Sequence, residues 1–241
     1  MTKTFKALGV LLTYPTFELQ AAAGEILAVI EAEKRLPAKN RAALGELIAE
    51  LSESELVDLQ EGYVALFDRG RATSLNLFEH VHGESRERGP AMLDLMQVYA
   101  SGGYSLDSSE LPDYLPLMLE FLSQRPFAQA DDMLSDCAHI IRRIGDALAR
   151  RGSHYQAVPA ALLAMIGEAG LSPRPARDAD PDELGEAALA AEQALLDKDW
   201  MDAPVVFGPE GAPDCKPVPA AASVIRFMPR QQPGERGSRN Q

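Results

Sequence analysis

The chain has 241 residues, a formal net charge of −13 and an aromatic content of only 6%. That length holds one large domain or two small ones with a sizeable core. The charge argues against a nucleic-acid partner, which would need a basic stripe for phosphate contacts, and the Ala-, Leu- and Glu-rich composition favours helix over sheet.

Residues 3–13 read as a short helix with Phe5, Leu8, Leu11 and Leu12 on one face. Pro15 interrupts, and Thr16 is placed to cap a second helix running to about Lys34, with Ala23, Ile26, Leu27 and Ile30 as its stripe. A third helix from about Ala38 carries Leu44, Leu47, Ile48 and Leu51. Ser52 with Glu55 three residues on reads as a capping box for a fourth, whose stripe is Leu56, Leu59, Tyr63, Leu66 and Phe67. Pro90 opens a fifth helix with Met92, Leu95, Met96 and Tyr99, and Gly102-Gly103 stops it. Asp113 is the expected N-cap of a sixth helix, LPLMLEFL, with Pro116 in its first turn and Met118, Phe121 and Leu122 inward. Residues 127–151 predict the longest helix, with Met133, Cys137, Ile140, Ile141, Ile144 and Leu148 in register. An eighth helix is expected over about 155–169 and a ninth over 181–197.

Nothing alternates with period two over a useful length, so the expected fold is all-α, one compact domain of about nine helices over residues 1–197. From Lys198 onward 11 of 44 residues are Pro or Gly, which predicts a mostly irregular or mobile tail over 198–241. Those 44 residues hold six basic and five acidic side chains, so the helical body carries −14. An acidic body favours encounter with cationic partners. Cys137 and Cys215 are far apart in sequence and form no CxxC, which suits a reducing compartment; Cys137, on a helical stripe, is expected to be buried and inert. No apolar run approaches the roughly 20 residues that span a bilayer, and the start lacks the long apolar region and A-x-A site of a secretory signal. The expected location is the cytoplasm, without insertion into a membrane.

The densest chemistry lies between the fourth and fifth helices, in the stretch Tyr63 to Leu95. Four acids (Asp68, Glu79, Glu84, Glu87) and four arginines (Arg69, Arg71, Arg86, Arg88) surround His80 and His82 and an apolar centre of Leu75, Leu77 and Phe78. That centre predicts an ordered connection packed onto the body. A plain structural loop with surface charges accounts for the composition equally well. The loop between the fifth and sixth helices is the candidate hinge, bracketed by Gly102, Gly103 and Pro112.

Several chemistries fit parts of this stretch. His80 and His82 with Glu79 and Glu84 offer metal ligands, but an HxH pair in a helix points its side chains about 200° apart, and no HExxH or cysteine pair accompanies it. Hydrogen bonds from the histidines to neighbouring acids and arginines would hold the loop instead. Arg69, Arg71, Thr73 and Ser74 would suit an anion, yet no GxxxxGK[ST] or GxGxxG unit cradles a nucleotide, and Arg–carboxylate pairing explains the same arginines. Ser85 near His82 has no GxSxG elbow. The sequence therefore shows neither an enzyme nor a cofactor motif. An acidic helical body with Met92, Met96 and Met118 would suit a groove for a basic amphipathic helix, though methionines at helical spacing are more often core.

The segments LFDRGR, SLNLFEHVHGESRERG and ELPDYLPLMLEFL resemble the NarJ family of nitrate reductase assembly chaperones, within the wider TorD/DmsD group. The likeness is nearly unbroken from Tyr63 to Leu122, with weaker helical similarity over residues 1–197. It implies a TorD-like all-helical chaperone that takes part in no catalysis. Such a protein recognises the N-terminal segment of the apo catalytic subunit of a respiratory nitrate reductase. It holds that subunit competent for molybdenum cofactor insertion before membrane docking. Proteins that deliver the cofactor are further implied partners. The resemblance marks Tyr63, Phe67, Asp68, Arg69, Arg71, Phe78, Glu79, His80, His82, Glu84, Arg86 and Arg88 as client-binding or loop-ordering residues. The wider group's E-x-P-D-H element falls on Glu110, Pro112 and Asp113, with Tyr114 where that group often has His; with Gly102 and Gly103 these residues make up the candidate hinge. The residue-level alternative is a metal- or nucleotide-binding protein using His80, His82 and the Arg-rich loop.

Overall fold

The structure, a computed structural model, describes residues 2–81, 87–106 and 110–172. Among these residues every regular element is helical, apart from a single antiparallel bridge between Asn76 and Tyr114. The α-helices are α1 (Lys3–Leu11), α2 (Phe17–Glu33), α3 (Ala38–Glu53), α4 (Leu56–Phe67), α5 (Arg88–Ser101), α6 (Leu115–Ser123), α7 (Phe127–Arg150) and α8 (Ala157–Met165). The expected ninth helix, the 198–241 tail and Cys215 lie outside the described residues.

The nine-residue α1 sits at the centre because it is apolar around most of its circumference. Phe5, Leu8, Leu11 and the following Leu12 are all buried, and the helix packs against both α6 and α2. Burial of each such side chain is worth about 1.5–3 kcal/mol against exposure. Gly9 lets α1 and α6 approach: a Cβ there would stand 3.1 Å from the Pro116 carbonyl oxygen and 3.2 Å from Leu119 Cβ. The N-terminus of α1 is capped from a distance. Glu33, the last residue of α2, accepts the N–H groups of Lys3 (2.8 Å) and Thr4 (2.9 Å) and the Thr4 hydroxyl (2.6 Å). Two of the four donors left open by a helix start are thereby satisfied.

The long α7 forms the second layer, with Leu134, Cys137, Ile140, Ile141, Ile144 and Leu148 fully buried. It lies against α8, which in turn contacts α3. Met133, expected on this stripe, is only half-buried; Leu134 occupies the inward position. Thr16 caps α2 as expected, its hydroxyl accepting the Leu19 N–H at 3.2 Å. Two other expected caps differ. Ser52 belongs to the last turn of α3, where its hydroxyl donates to the Ala49 carbonyl, and α4 begins after Glu55 without a side-chain cap. Asp113 does not cap α6, whose N-cap position is Tyr114; its carboxylate is engaged elsewhere.

Candidate functional site

The connection after α4 is held by its own apolar residues and by three neighbouring elements. Leu75, Leu77 and Phe78 are buried, and two short 3-10 turns, Arg71–Thr73 and Leu77–His80, give it shape. The Thr73 hydroxyl donates to the Leu66 carbonyl. Arg151, just past α7, donates to the same carbonyl at 3.2 Å and to Thr73 Oγ1 at 2.7 Å. Further along, Leu77 N–H donates to the Asp113 carbonyl (3.1 Å), and Leu115 N–H to the Leu75 carbonyl (2.8 Å). Asp113 Oδ2 accepts the Phe78 N–H at 2.9 Å. The loop and the start of α6 thus pair as two short extended strips.

Polar side chains complete the loop. Glu79 accepts the Ser74 hydroxyl at 2.6 Å and the Arg88 guanidinium at 3.4 Å. His80 Nε2 lies 2.9 Å from the Ser74 carbonyl, which requires the Nε2–H tautomer. Burial lowers the His80 pKa, and the nearby Arg143 acts in the same direction, against the Ser74 bond and the Glu79 charge. The imidazole is therefore a neutral donor to backbone, not a partner of acids and arginines as the sequence suggested. Burial raises the Asp113 pKa, opposed by the Phe78 N–H and Arg88, and its Oδ1 has no hydrogen-bond partner.

Behind the loop stands an aromatic group. Tyr63 and Phe67 lie 4.7 Å apart, Phe67 meets Tyr155 edge-on at 5.1 Å, and Tyr14 meets Tyr63 edge-on at 5.5 Å. The Tyr63 hydroxyl donates to the Leu12 carbonyl at 2.8 Å and lies 3.5 Å from the Tyr114 hydroxyl. Burial pushes the Tyr63 phenol well above its ordinary range, so it is a fixed neutral donor.

The expected site residues thus fall into separate groups. Tyr63, Phe67, Phe78, Glu79, His80, Arg88, Asp113 and Tyr114 meet around one loop, joined among themselves by the Glu79–Arg88, Phe78–Asp113 and Tyr63–Tyr114 contacts. Asp68, Arg69 and Arg71 are exposed beside it, and Glu110 is exposed at the start of the α6 approach. Gly102 and Gly103 end α5, the latter at φ +75°, away from the loop but tied to it through Tyr99, whose hydroxyl donates to the Pro112 carbonyl at 2.7 Å. His82, Glu84 and Arg86 lie outside the described residues. Among the described residues no group of His, Cys, Asp and Glu could hold a metal ion. The buried Cys137 thiol is pushed up to about 12, so it stays protonated and unreactive. Met92, Met96 and Met118 do not share one groove: Met118 is core, Met92 half-buried and Met96 exposed.

Sequence reasoning missed the exposed apolar surface. Phe17 (73% exposed) and Val57 (64%) line a cleft between the start of α2 and the α3–α4 corner, and Tyr14 (45%) is exposed shortly before α2. The signal was there, since Phe17 and Val57 sit off the inward stripes of their helices.

Comparison with known proteins decides the family. The family model described as "Nitrate reductase delta subunit" matches residues 33–161. The nitrate reductase molybdenum cofactor assembly chaperone NarJ of Escherichia coli K12 is 41% identical over 197 residues, covering 82% of this chain and 81% of that protein. The chain belongs to the NarJ family. The same organism's NarW, named as a probable assembly chaperone of this type, is 36% identical over 92% of this chain and 91% of its own length. A probable NarJ of Bacillus subtilis is 33% identical over 70% of this chain and 90% of its own. The match over residues 33–161 takes in the whole loop and its staples to α6 and α7. No described helix is long and apolar enough to cross a membrane.

Proposed function

We propose that this protein is a dedicated assembly chaperone for a respiratory nitrate reductase, acting in the cytoplasm by binding and without catalysis. It binds the N-terminal segment of the apo catalytic subunit, holds the subunit competent for molybdenum cofactor insertion, and delays membrane docking until loading is complete. The likeness to NarJ along four-fifths of both chains carries this reading. A body of this acidity suits a cationic segment, and a loop whose Glu79 and His80 are engaged by Ser74 suits a holding role. In this reading Tyr63, Phe67, Phe78, Glu79, His80 and Arg88 order the loop, while Asp68, Arg69 and Arg71 lend it surface charge. His82, Glu84 and Arg86 are assigned to the same loop by resemblance. The hinge is the connection from Gly102-Gly103 to Glu110, Pro112, Asp113 and Tyr114, which shifts as the client docks. Proteins that deliver the cofactor are further partners in this reading.

The test is restoration of assembly in a nitrate-respiring host that lacks its own NarJ-type chaperones. Expression of this chain with its cognate reductase should restore molybdenum content and activity, and the purified active enzyme should be free of the chain. Reductase that loads fully without the chain overturns the proposal. Active enzyme that retains the chain stoichiometrically would make it a permanent subunit instead.

A further inference from the structure

The cleft between α2 and the α3–α4 corner is preformed. Gln20 Nε2 donates to the carbonyls of Leu51 and Ser54, each at 3.0 Å, and Gln60 Nε2 donates to the Pro15 carbonyl at 2.9 Å. These bonds fix the two walls, while Thr16 closes the open end of α2. Phe17, Leu56 and Val57 supply apolar surface, and Glu18 and Glu55 stand among them. Tyr14, packed on Tyr63, continues the apolar surface toward the aromatic group behind the loop.

Charge selects what this surface takes. The cleft is cut from two stretches of chain, residues 16–20 and 52–60. The first contains one acid and the second three, and neither contains a Lys, Arg or His. An anion is disfavoured even though two helix N-termini open here, because Thr16 caps α2 and the carboxylates of Glu18 and Glu55 stand beside the two helix starts. A second copy of this chain is disfavoured as well: a two-fold interface would lay the acidic strip against itself. A peptide with a large apolar side chain flanked by Lys or Arg meets both features, its apolar group against Phe17 and Val57 and its cations at the rim.

We propose that this cleft docks the apolar anchor of a basic amphipathic segment, with Phe17, Leu56 and Val57 as its walls and Glu18 and Glu55 as its charge partners. The inference rests on the proposed function, and it separates the docking surface from the loop that follows α4.

The probe is a synthetic peptide of the N-terminal segment of the cognate catalytic subunit, titrated into the full-length protein. Val57→Lys and Phe17→Ser should each weaken binding at least about tenfold. Leu93→Ser, on the separate exposed face of α5, should leave it unchanged. The replaced side chains are largely exposed, so circular dichroism and melting should match wild type. A photo-crosslinker at position 57 should capture the peptide. Wild-type binding that both cleft variants retain in full overturns the cleft and leaves the proposed function standing. A crosslink only to a second copy, or only within the chain, overturns it too. No binding by the wild type removes both readings.

Discussion

The side chain of Asp113 and the backbone of Phe78, 35 residues apart, are joined by a 2.9 Å hydrogen bond in a fully buried setting. This bond ties the α4–α5 connection to the entrance of α6. Asp113→Ala leaves the Phe78 N–H buried without an acceptor and should cost about 1–3 kcal/mol in chemical denaturation. Asp113→Asn keeps an acceptor and should cost less. Because burial raises the native pKa above 3.8, folding favours the protonated acid. Its contribution is full below about pH 3.8 and is lost as pH rises through the native value. The melting temperature of Asp113→Asn relative to wild type should therefore climb between pH 3.5 and neutrality; a flat difference would show that the acid ionises as freely folded as unfolded.

Glu33 has the opposite sign. Burial acts to raise its pKa, but the bonds from Thr4 and Lys3 outweigh that and hold it below the ordinary 4.5. Its stabilising contribution is present above about pH 4.5 and is lost as pH falls through the lowered native value. Glu33→Gln should cost about 0.5–2 kcal/mol at pH 7, as for loss of a helix cap. The gap from wild type should close in acid; equal stability at neutral pH would remove the carboxylate as the cap of α1.

Arg151 joins the ends of α4 and α7 to the loop through Leu66 and Thr73. Arg151→Met should leave the global melting nearly intact yet raise amide hydrogen exchange across residues 71–77 several-fold, since about 1–2 kcal/mol of local bonding is removed. Unchanged protection there would mean that Leu75, Leu77 and Phe78 hold the loop unaided.

At Gly145 a Cβ would come within 2.3 Å of Leu171 Cδ2 and 2.9 Å of Pro159 Cβ. Helix propensity alone would make Gly145→Ala stabilising by about 1 kcal/mol. The overlap with α8 should reverse that sign, for a net loss of about 1–3 kcal/mol. A higher melting temperature in the alanine variant would refute the close α7–α8 approach.

The helices were legible because their burial is periodic: Phe5, Leu8, Leu11 and Leu12 in α1, or Cys137, Ile140, Ile141, Ile144 and Leu148 in α7, each mark one face. The ordered loop was legible from Leu75, Leu77 and Phe78, which have no reason to be in a solvated linker. Caps were less so. Ser52 and Glu55 matched a local motif, but α3 continues through Ser52, and the helix start that needed a distant acid, α1, took Glu33. Asp113 looked like a cap because its bond to Phe78 is invisible to any local window. His80 was expected to pair with charge and bonds a backbone carbonyl instead, since burial disfavours its ion. The cleft escaped notice although Phe17 and Val57 sit off their inward stripes, because the meeting of the α2 start with the α3–α4 corner is not encoded in either helix alone.

The central claim is that this protein works by holding a peptide segment of its client. Its most direct test is calorimetric titration of the full-length protein with a synthetic peptide of about the first fifteen residues of the cognate catalytic subunit. The account predicts saturable one-to-one binding with a Kd of micromolar or tighter, about −8 to −12 kcal/mol, that weakens as salt is added. No heat at high peptide concentration, together with no competition against the apo subunit, would contradict it.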